Sequence, residues 1–134
     1  MVAMTHQVFT PAQANRTLPL VRRIVEDILV KGREIRQLAS KAGTEAGDEL
    51  HALKDEINAY LAELTQIGCY YKDWSFDKGL VDYPAEIDGE VVYLCWRSDE
   101  PRLAYYHTLD GGFAARKPIP RELLDGTVPT ESQG

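Results

Sequence analysis

The sequence has none of the short motifs that identify the common catalytic or nucleotide-binding sites. It contains only two cysteines, Cys69 and Cys95, which lie far apart and form no C-x-x-C pair. This usage is typical of reduced thiols in a cytoplasmic protein. No H-E-x-x-H zinc motif, G-x-G-x-x-G fingerprint or phosphate-binding loop occurs in the chain. Any functional site must therefore be formed by residues that the fold brings together.

Long apolar runs and an excess of positive charge are also missing. No segment approaches the roughly 20 apolar residues of a membrane-spanning helix, and the N-terminal residues lack the pattern of a signal peptide. The chain has 21 acidic and 15 basic residues, which gives a formal net charge of -6. Nucleic-acid-binding proteins usually present a basic face. We therefore expect a cytoplasmic protein with neither a nucleic-acid nor a membrane partner.

The length and the hydrophobic content predict one domain. The chain has 134 residues, of which 44% are hydrophobic, and this is enough for a core without disulfides. We assign residues 1–120 to a single α+β domain. Residues 121–134 are polar and poor in large apolar groups, which predicts a disordered tail.

The first helix has clear start signals. Thr10 followed by Pro11 is a favourable N-cap and first helical residue. Pro19 permits a second helix start at Thr17. We therefore expect a short helical turn over residues 11–16 and then a separate long helix.

Two apolar stripes at helical spacing predict a long antiparallel helical hairpin over about residues 11–67. Gly32 interrupts the first stripe, and we expect another helix to approach closely there. The residues of the two stripes are Val21, Ile24, Ile28, Gly32, Ile35 and Leu38, and then Leu50, Leu53, Ile57, Tyr60, Leu64 and Ile67.

After Gly68 the apolar period changes from about 3.6 to about 2 residues, which indicates strands. Asp88-Gly89 stands between two alternating runs and is a strong signal for a two-residue hairpin turn. We expect a β-meander over about residues 69–109 and a loop over 110–120. The predicted fold class is α+β, with the helical hairpin followed by a small antiparallel sheet of three or four strands.

The alternation of side chains assigns the residues of the meander to two faces. The turn at Asp88-Gly89 places Asp82 opposite Cys95, and the next turn places Cys95 opposite Tyr105. The face that we expect to pack on the helices holds Val81, Tyr83, Ile87, Val92, Leu94, Trp96, Ala104 and Tyr106. The other face holds Asp82, Glu86, Tyr93, Cys95, Arg97, Tyr105 and His107.

This second face predicts a pocket, because Cys and Tyr are usually at least partly buried and something must cover them. We expect a ligand-binding or regulatory module that holds a small anionic molecule. Lys72, Asp73 and Trp74 indicate either a further edge of the pocket or a turn at a strand end. The residues assigned to the anionic ligand are Arg97, His107, Arg116, Tyr93, Tyr105, Gly112 and Phe113.

Two alternatives stay open, and with them the question whether the protein is an enzyme. Asp82, Cys95 and His107 are all competent ligands for zinc or iron. They could hold a divalent transition metal as the cofactor of a hydrolase, or the thiol and the imidazole could act as nucleophile and base. In the other alternative the helical hairpin is an interaction or assembly element that the sheet supports.

Four motifs carry a family resemblance: "LPLVRR", "GLVDYPA", "YLCWR" and the "YYH" that precedes "GGF". Together they resemble a family of small bacterial proteins of unknown function. The resemblance runs over about residues 9–120 and is most specific in the second half. It implies a cytoplasmic protein with a helical N-terminal half and a compact C-terminal half, and it assigns no activity.

The length of the hairpin predicts a homodimer. A helix of about 22 residues is about 33 Å long, which exceeds what a small sheet covers. The remaining apolar seam should therefore pack on a second copy.

Light scattering from the purified protein should give twice the mass of one chain. The mass of a single chain at micromolar concentration would contradict a dimer through the helical hairpin.

Overall fold

The structure is a computed structural model that describes residues 8–41 and 47–124. Two long helices come first, α1 (Pro11–Lys41) and α2 (Gly47–Ile67), and they form the expected hairpin. An antiparallel sheet follows in the spatial order β1-β2-β3-β4-β5. Its strands are Tyr70–Tyr71, Leu80–Ile87, Glu90–Arg97, Tyr105–Thr108 and Lys117–Pro118, and the helical turn α3 (Arg121–Leu124) ends the described chain. The α+β fold class is confirmed.

The sheet has five strands rather than three or four. The additional strand is β5, which pairs Lys117 with Tyr106 and Pro118 with Tyr105. Two residues are too few to show an alternation of side chains. For this reason the sequence predicted only a loop over residues 110–120.

Helix α1 is continuous, so the expected short turn and second start are wrong. Thr10 and Gln13 form a capping box: the Gln13 amide donates to Thr10 Oγ1, and the Thr10 amide donates to Gln13 Oε1, both at 3.0 Å. Pro19 lies inside the helix and removes one backbone hydrogen bond. Leu18 and Val21 are buried on either side of it, and their packing keeps the helix unbroken.

Residues 121–124, which were expected to belong to the tail, form α3. The amides of Leu123 and Leu124 donate to the Pro120 carbonyl at 3.0 and 3.1 Å. Both leucine side chains pack against the core, and this burial outweighs the polar character of the segment. Residues 125–134, the remainder of the predicted tail, lie outside the described residues.

The core lies between the helices and the apolar face of the sheet. The predicted register is confirmed, with Ile87 opposite Glu90 and Asp82 opposite Cys95. No helix in residues 8–41 and 47–124 combines the length and the apolar character needed to cross a bilayer. The sheet residues with the least exposure on the helical side are Val81, Tyr83, Ala85, Val92, Leu94 and Trp96.

Asn15 connects α1 to the segment that leads into β4. Its side-chain Nδ2 donates to the Leu103 carbonyl at 3.1 Å, and its Oδ1 accepts from the Leu103 amide at 2.9 Å. Leu103 is fully buried. This two-point contact fixes the entry of β4 and therefore the position of the residues on that strand.

Gly32 is a point of close approach, as expected, but the neighbour is an aromatic ring and not another helix. A Cβ atom at Gly32 would lie 2.2 Å from Cγ of Phe76. Phe76 has a φ of 57°, which is in the left-handed region that bulky residues disfavour. The loop between β1 and β2 therefore depends on the missing side chain at residue 32.

We expect Gly32→Ala to lower the free energy of unfolding by about 1–3 kcal/mol, because the Phe76 ring must move. Helix propensity alone predicts the opposite, a gain of about 1 kcal/mol. Gly47→Ala in α2 is the control, since a Cβ there meets no atom within 4 Å. Urea denaturation decides between the two effects. A Gly32→Ala protein as stable as the wild type would contradict the close contact.

Candidate functional site

Three side chains from three neighbouring strands meet on the outer face of the sheet. Asp82 lies directly opposite Cys95, and His107 lies diagonally from Cys95, because the partner of Cys95 on β4 is Tyr105. The possible ligand atoms of Asp82, Cys95 and His107 all lie within 4.8 Å of one another. The structure thus brings together the three residues that the sequence indicated as candidate metal ligands.

These three residues are buried, although they point away from the helices. Asp82 and His107 are each 5% exposed and Cys95 is 1% exposed. Burial raises the pKa of the Asp82 carboxyl above its ordinary value, against the opposing effects of His107 and Lys72. Burial, together with the charge of Asp82, raises the pKa of the Cys95 thiol to about 12. The cluster is thus held in surroundings that oppose negative charge.

The orientation of the His107 ring is set by a backbone contact. Nδ1 lies 2.7 Å from the Thr108 carbonyl oxygen. A carbonyl only accepts hydrogen bonds, so Nδ1 carries the hydrogen and donates it. In the neutral ring this leaves the lone pair on Nε2, which accepts from a protonated Asp82 at 3.1 Å, whereas an imidazolium would donate from Nε2 to the Asp82 carboxylate. Histidines that bind metals are commonly oriented by such a contact at the second nitrogen.

The cluster opens onto a cavity of about 370 Å³. Its other lining residues are mainly apolar or glycine, with one ammonium and one carboxylate group. Such a combination of apolar walls and a few convergent polar groups is typical of small-molecule sites. These lining residues are Lys72, Leu80, Tyr93, Leu109, Asp110, Gly111, Gly112 and Phe113.

The residues assigned to an anionic ligand fall into two groups. Four of them line the cavity: Tyr93, His107, Gly112 and Phe113. In the described part of the chain, Arg97, Arg116 and Tyr105 lie outside the cavity lining. A ligand-binding site for an anion would therefore have fewer positively charged side chains in its lining than the sequence predicted.

Both arginines are engaged by carboxylates. Arg97 Nε donates to Asp99 Oδ1 at 2.6 Å. Arg116 donates to both carboxylate oxygens of Glu100, at 3.0 and 2.7 Å. The second pair is largely buried, with each side chain 13% exposed. Such two-point guanidinium–carboxylate pairs are strong and geometrically specific.

Arg116 also holds the rim of the cavity in place. Its guanidinium lies 4.3 Å from the centre of the Tyr105 ring and 4.2 Å from that of Phe113. Gly112 precedes the short 3-10 turn Phe113–Ala115 and has a φ of 72°, which suits glycine. The chain therefore turns back at residue 112 and places Phe113 beside the cavity.

Several residues of the site were not identified from the sequence. Leu109 follows His107 by two residues, so strand alternation could have assigned it to the same face. Lys72, which the sequence indicated as either a pocket edge or part of a strand-end turn, lines the cavity, and the turn follows it, with the Ser75 and Asp77 amides donating to the Asp73 carboxylate. Glu100 had no such signal, because its contact with Arg116 spans 16 residues and depends on the return of the chain.

Comparison with known proteins identifies the family and provides no activity. A family model described as an uncharacterized conserved protein (DUF2203) matches residues 7–119. Neither the curated proteins nor the solved structures that were compared include a match. The matched segment contains every residue of the cavity and confirms the resemblance seen in the sequence. The chain belongs to the DUF2203 family of uncharacterised conserved proteins.

Proposed function

We propose that this protein binds a divalent transition metal through Asp82, Cys95 and His107 and offers an open coordination position to the cavity. The convergence of the three ligand atoms within 4.8 Å is the observation that carries this proposal. Zinc bonds of about 2.0–2.3 Å in a tetrahedron separate neighbouring ligand atoms by roughly 3–4 Å. The distance of 3.1 Å between His107 Nε2 and Asp82 Oδ2 fits that separation.

The types of donor atom favour zinc, iron or cobalt over magnesium and calcium. Mg²⁺ and Ca²⁺ prefer sites made of oxygen ligands, whereas this cluster offers one oxygen, one imidazole nitrogen and one sulfur. Structural zinc sites are usually closed by four protein ligands, and catalytic ones keep a fourth position for water or substrate. With three ligands next to a cavity, the arrangement is closer to the second type.

A divalent cation would also balance the negative charges that Asp82 and Cys95 carry when they act as ligands. An ionised Asp82 and an ionised Cys95 would together carry two negative charges in positions that are at least 95% shielded from solvent. Burying such charges without a partner is costly. A cation of charge +2 balances both, while the His107 imidazole binds in its neutral form.

The surroundings support the three ligands. The Thr108 carbonyl orients His107, and the positive charge of Arg116 acts to lower the pKa of the Cys95 thiol. Arg116 is itself fixed by Glu100 and two aromatic rings. Groups that orient and stabilise metal ligands in this way commonly change metal affinity by about 10- to 100-fold.

The other hypotheses have weaker support. A metal-free anionic site would use Arg97 and Arg116, and both are paired with carboxylates outside the cavity lining. A nucleophilic Cys95 without a metal requires a thiolate, and in the absence of a cation burial raises the pKa of this thiol to about 12. A bound metal ion would itself stabilise the thiolate. The homodimer through the helical hairpin and a role of the hairpin in assembly remain predictions.

We expect protein purified without an affinity tag to bind one equivalent of Co²⁺ and to show a thiolate-to-cobalt charge-transfer absorption. Cys95→Ala should abolish this absorption and weaken binding at least tenfold, because the sulfur ligand is lost. Isothermal titration calorimetry with Co²⁺ and Zn²⁺ measures the affinities. Elemental analysis of the untreated protein then identifies the metal that it acquires in the cell.

Cys69→Ala is the matched control, since Cys69 is also a buried thiol, and its Sγ lies 3.6 Å from the Leu64 carbonyl. This variant should keep the absorption and the stoichiometry. Circular dichroism checks that both variants fold, and His107→Gln provides a second test of the ligand set. The proposal fails if the wild type binds neither metal, or if Cys95→Ala binds both as the wild type does.

A further inference from the structure

Among the residues that the structure describes, Lys72 is the cation in the cavity lining that remains available to a ligand. Arg97 and Arg116 are paired with Asp99 and Glu100. Lys72 lines the cavity and forms no ion pair with any residue in the described ranges. A negatively charged group that enters the cavity therefore meets one ammonium that is not held in an ion pair, and one carboxylate outside the three metal ligands, that of Asp110.

The sheet holds the backbone of Lys72, whose side chain is exposed. Its backbone amide donates to the Leu80 carbonyl at 2.7 Å, which continues the β1–β2 ladder by one residue beyond Tyr71. Its ammonium lies 6.0 Å from the centre of the Tyr93 ring. Since Asp82 follows Leu80 by two residues on β2, Lys72 stands on the same face as the metal ligands.

The apolar walls and the small volume of the cavity favour a small ligand with an apolar body. Leu80, Tyr93, Leu109 and Phe113 line it, and its volume of about 370 Å³ is near the lower end of the range for small-molecule sites. Leu109 is 58% exposed and Phe113 is 37% exposed. A ligand that contacts both side chains would remove this apolar surface from water.

We propose that the ligand of this site is a small carboxylate with an apolar body, and this inference rests on the metal centre proposed above. One carboxylate oxygen takes the open coordination position and the other accepts from the Lys72 ammonium. The filled metal centre is neutral with its two anionic ligands, and the Lys72 ammonium is the charged donor in the lining that can pair with the bound carboxylate. The apolar body lies against Leu109 and Phe113.

A phosphate group fits this site less well. Phosphate sites usually combine several charged or backbone donors around a group of higher charge. Here the Gly111 amide is already used by the Thr108 carbonyl at 3.1 Å, and Asp110 places a carboxylate in the lining. Asp110 accepts from Thr108 Oγ1 at 2.9 Å, so it keeps its oxygen atoms at this edge.

The test uses the full chain loaded with Co²⁺, whose visible absorption reports on ligands at the metal. Acetate, butanoate and hexanoate are titrated, together with butanamide and inorganic phosphate. We expect the carboxylates to change the spectrum, with an affinity that rises by about fourfold or less for each added methylene. Butanamide should have no effect at the same concentrations, and phosphate should bind more weakly than hexanoate.

Lys72→Met should weaken hexanoate binding by about 10- to 100-fold, as expected for the loss of a charge-assisted hydrogen bond. Because the Lys72 charge also acts on Asp82, the affinity for Co²⁺ is measured separately and hexanoate is titrated at saturating Co²⁺. Lys54→Met on the exposed surface of α2 is the control for the loss of one positive charge and should change neither affinity.

The failures are distinguishable. If Co²⁺ binds but no carboxylate changes its spectrum, if phosphate binds more tightly than hexanoate, or if Lys72→Met binds hexanoate like the wild type, the carboxylate assignment is wrong and the metal centre stands. If Co²⁺ does not bind, the metal centre falls and the carboxylate assignment falls with it.

Discussion

The two-residue turn at Asp88-Gly89 determines which side chains meet on each face of the sheet. Asp88 has a φ of 54° and Gly89 a φ of 79°, the left-handed conformations of a type I′ turn, whose twist suits paired strands. This turn pairs Ile87 with Glu90, and the ladder then carries Asp82 to its place opposite Cys95. A slip of one residue would send every side chain of a strand to the other face. The core and the candidate metal centre therefore depend on the same register.

The two faces of the sheet have different roles: the inner face stabilises the fold, and the outer face carries the candidate site. Its inner face is apolar and packs on α1 and α2, so the hydrophobic stabilisation of the fold comes from that side. Its outer face buries Asp82, Cys95 and His107, a cluster that lowers stability unless its polar groups have partners. The chain covers this cluster with the segment that returns after β4, held by the pair of Arg116 and Glu100. A ligand function gives a physical reason for the presence of such a cluster.

The features that could be predicted from the sequence are those with a local signal. The helical hairpin follows from two apolar periods, and the meeting of Asp82 with Cys95 follows from strand alternation counted from one turn. The continuity of α1 through Pro19 and the pairing of β5 could not be predicted, because contacts from distant parts of the chain decide both. The pairing of Arg116 with Glu100 could not be predicted either, because the two residues meet only after the chain turns back. The sequence therefore did not show that the positive charge of Arg116 is already paired.

X-ray absorption at the zinc edge of the zinc-loaded protein tests the central claim most directly, because it counts the atoms bound to the metal. We expect one sulfur at about 2.3 Å and nitrogen or oxygen atoms at about 2.0–2.2 Å, with the sulfur signal absent in Cys95→Ala. A shell that contains only nitrogen and oxygen in the wild type, or a sulfur that persists after Cys95 is replaced, would contradict a metal centre formed by Asp82, Cys95 and His107.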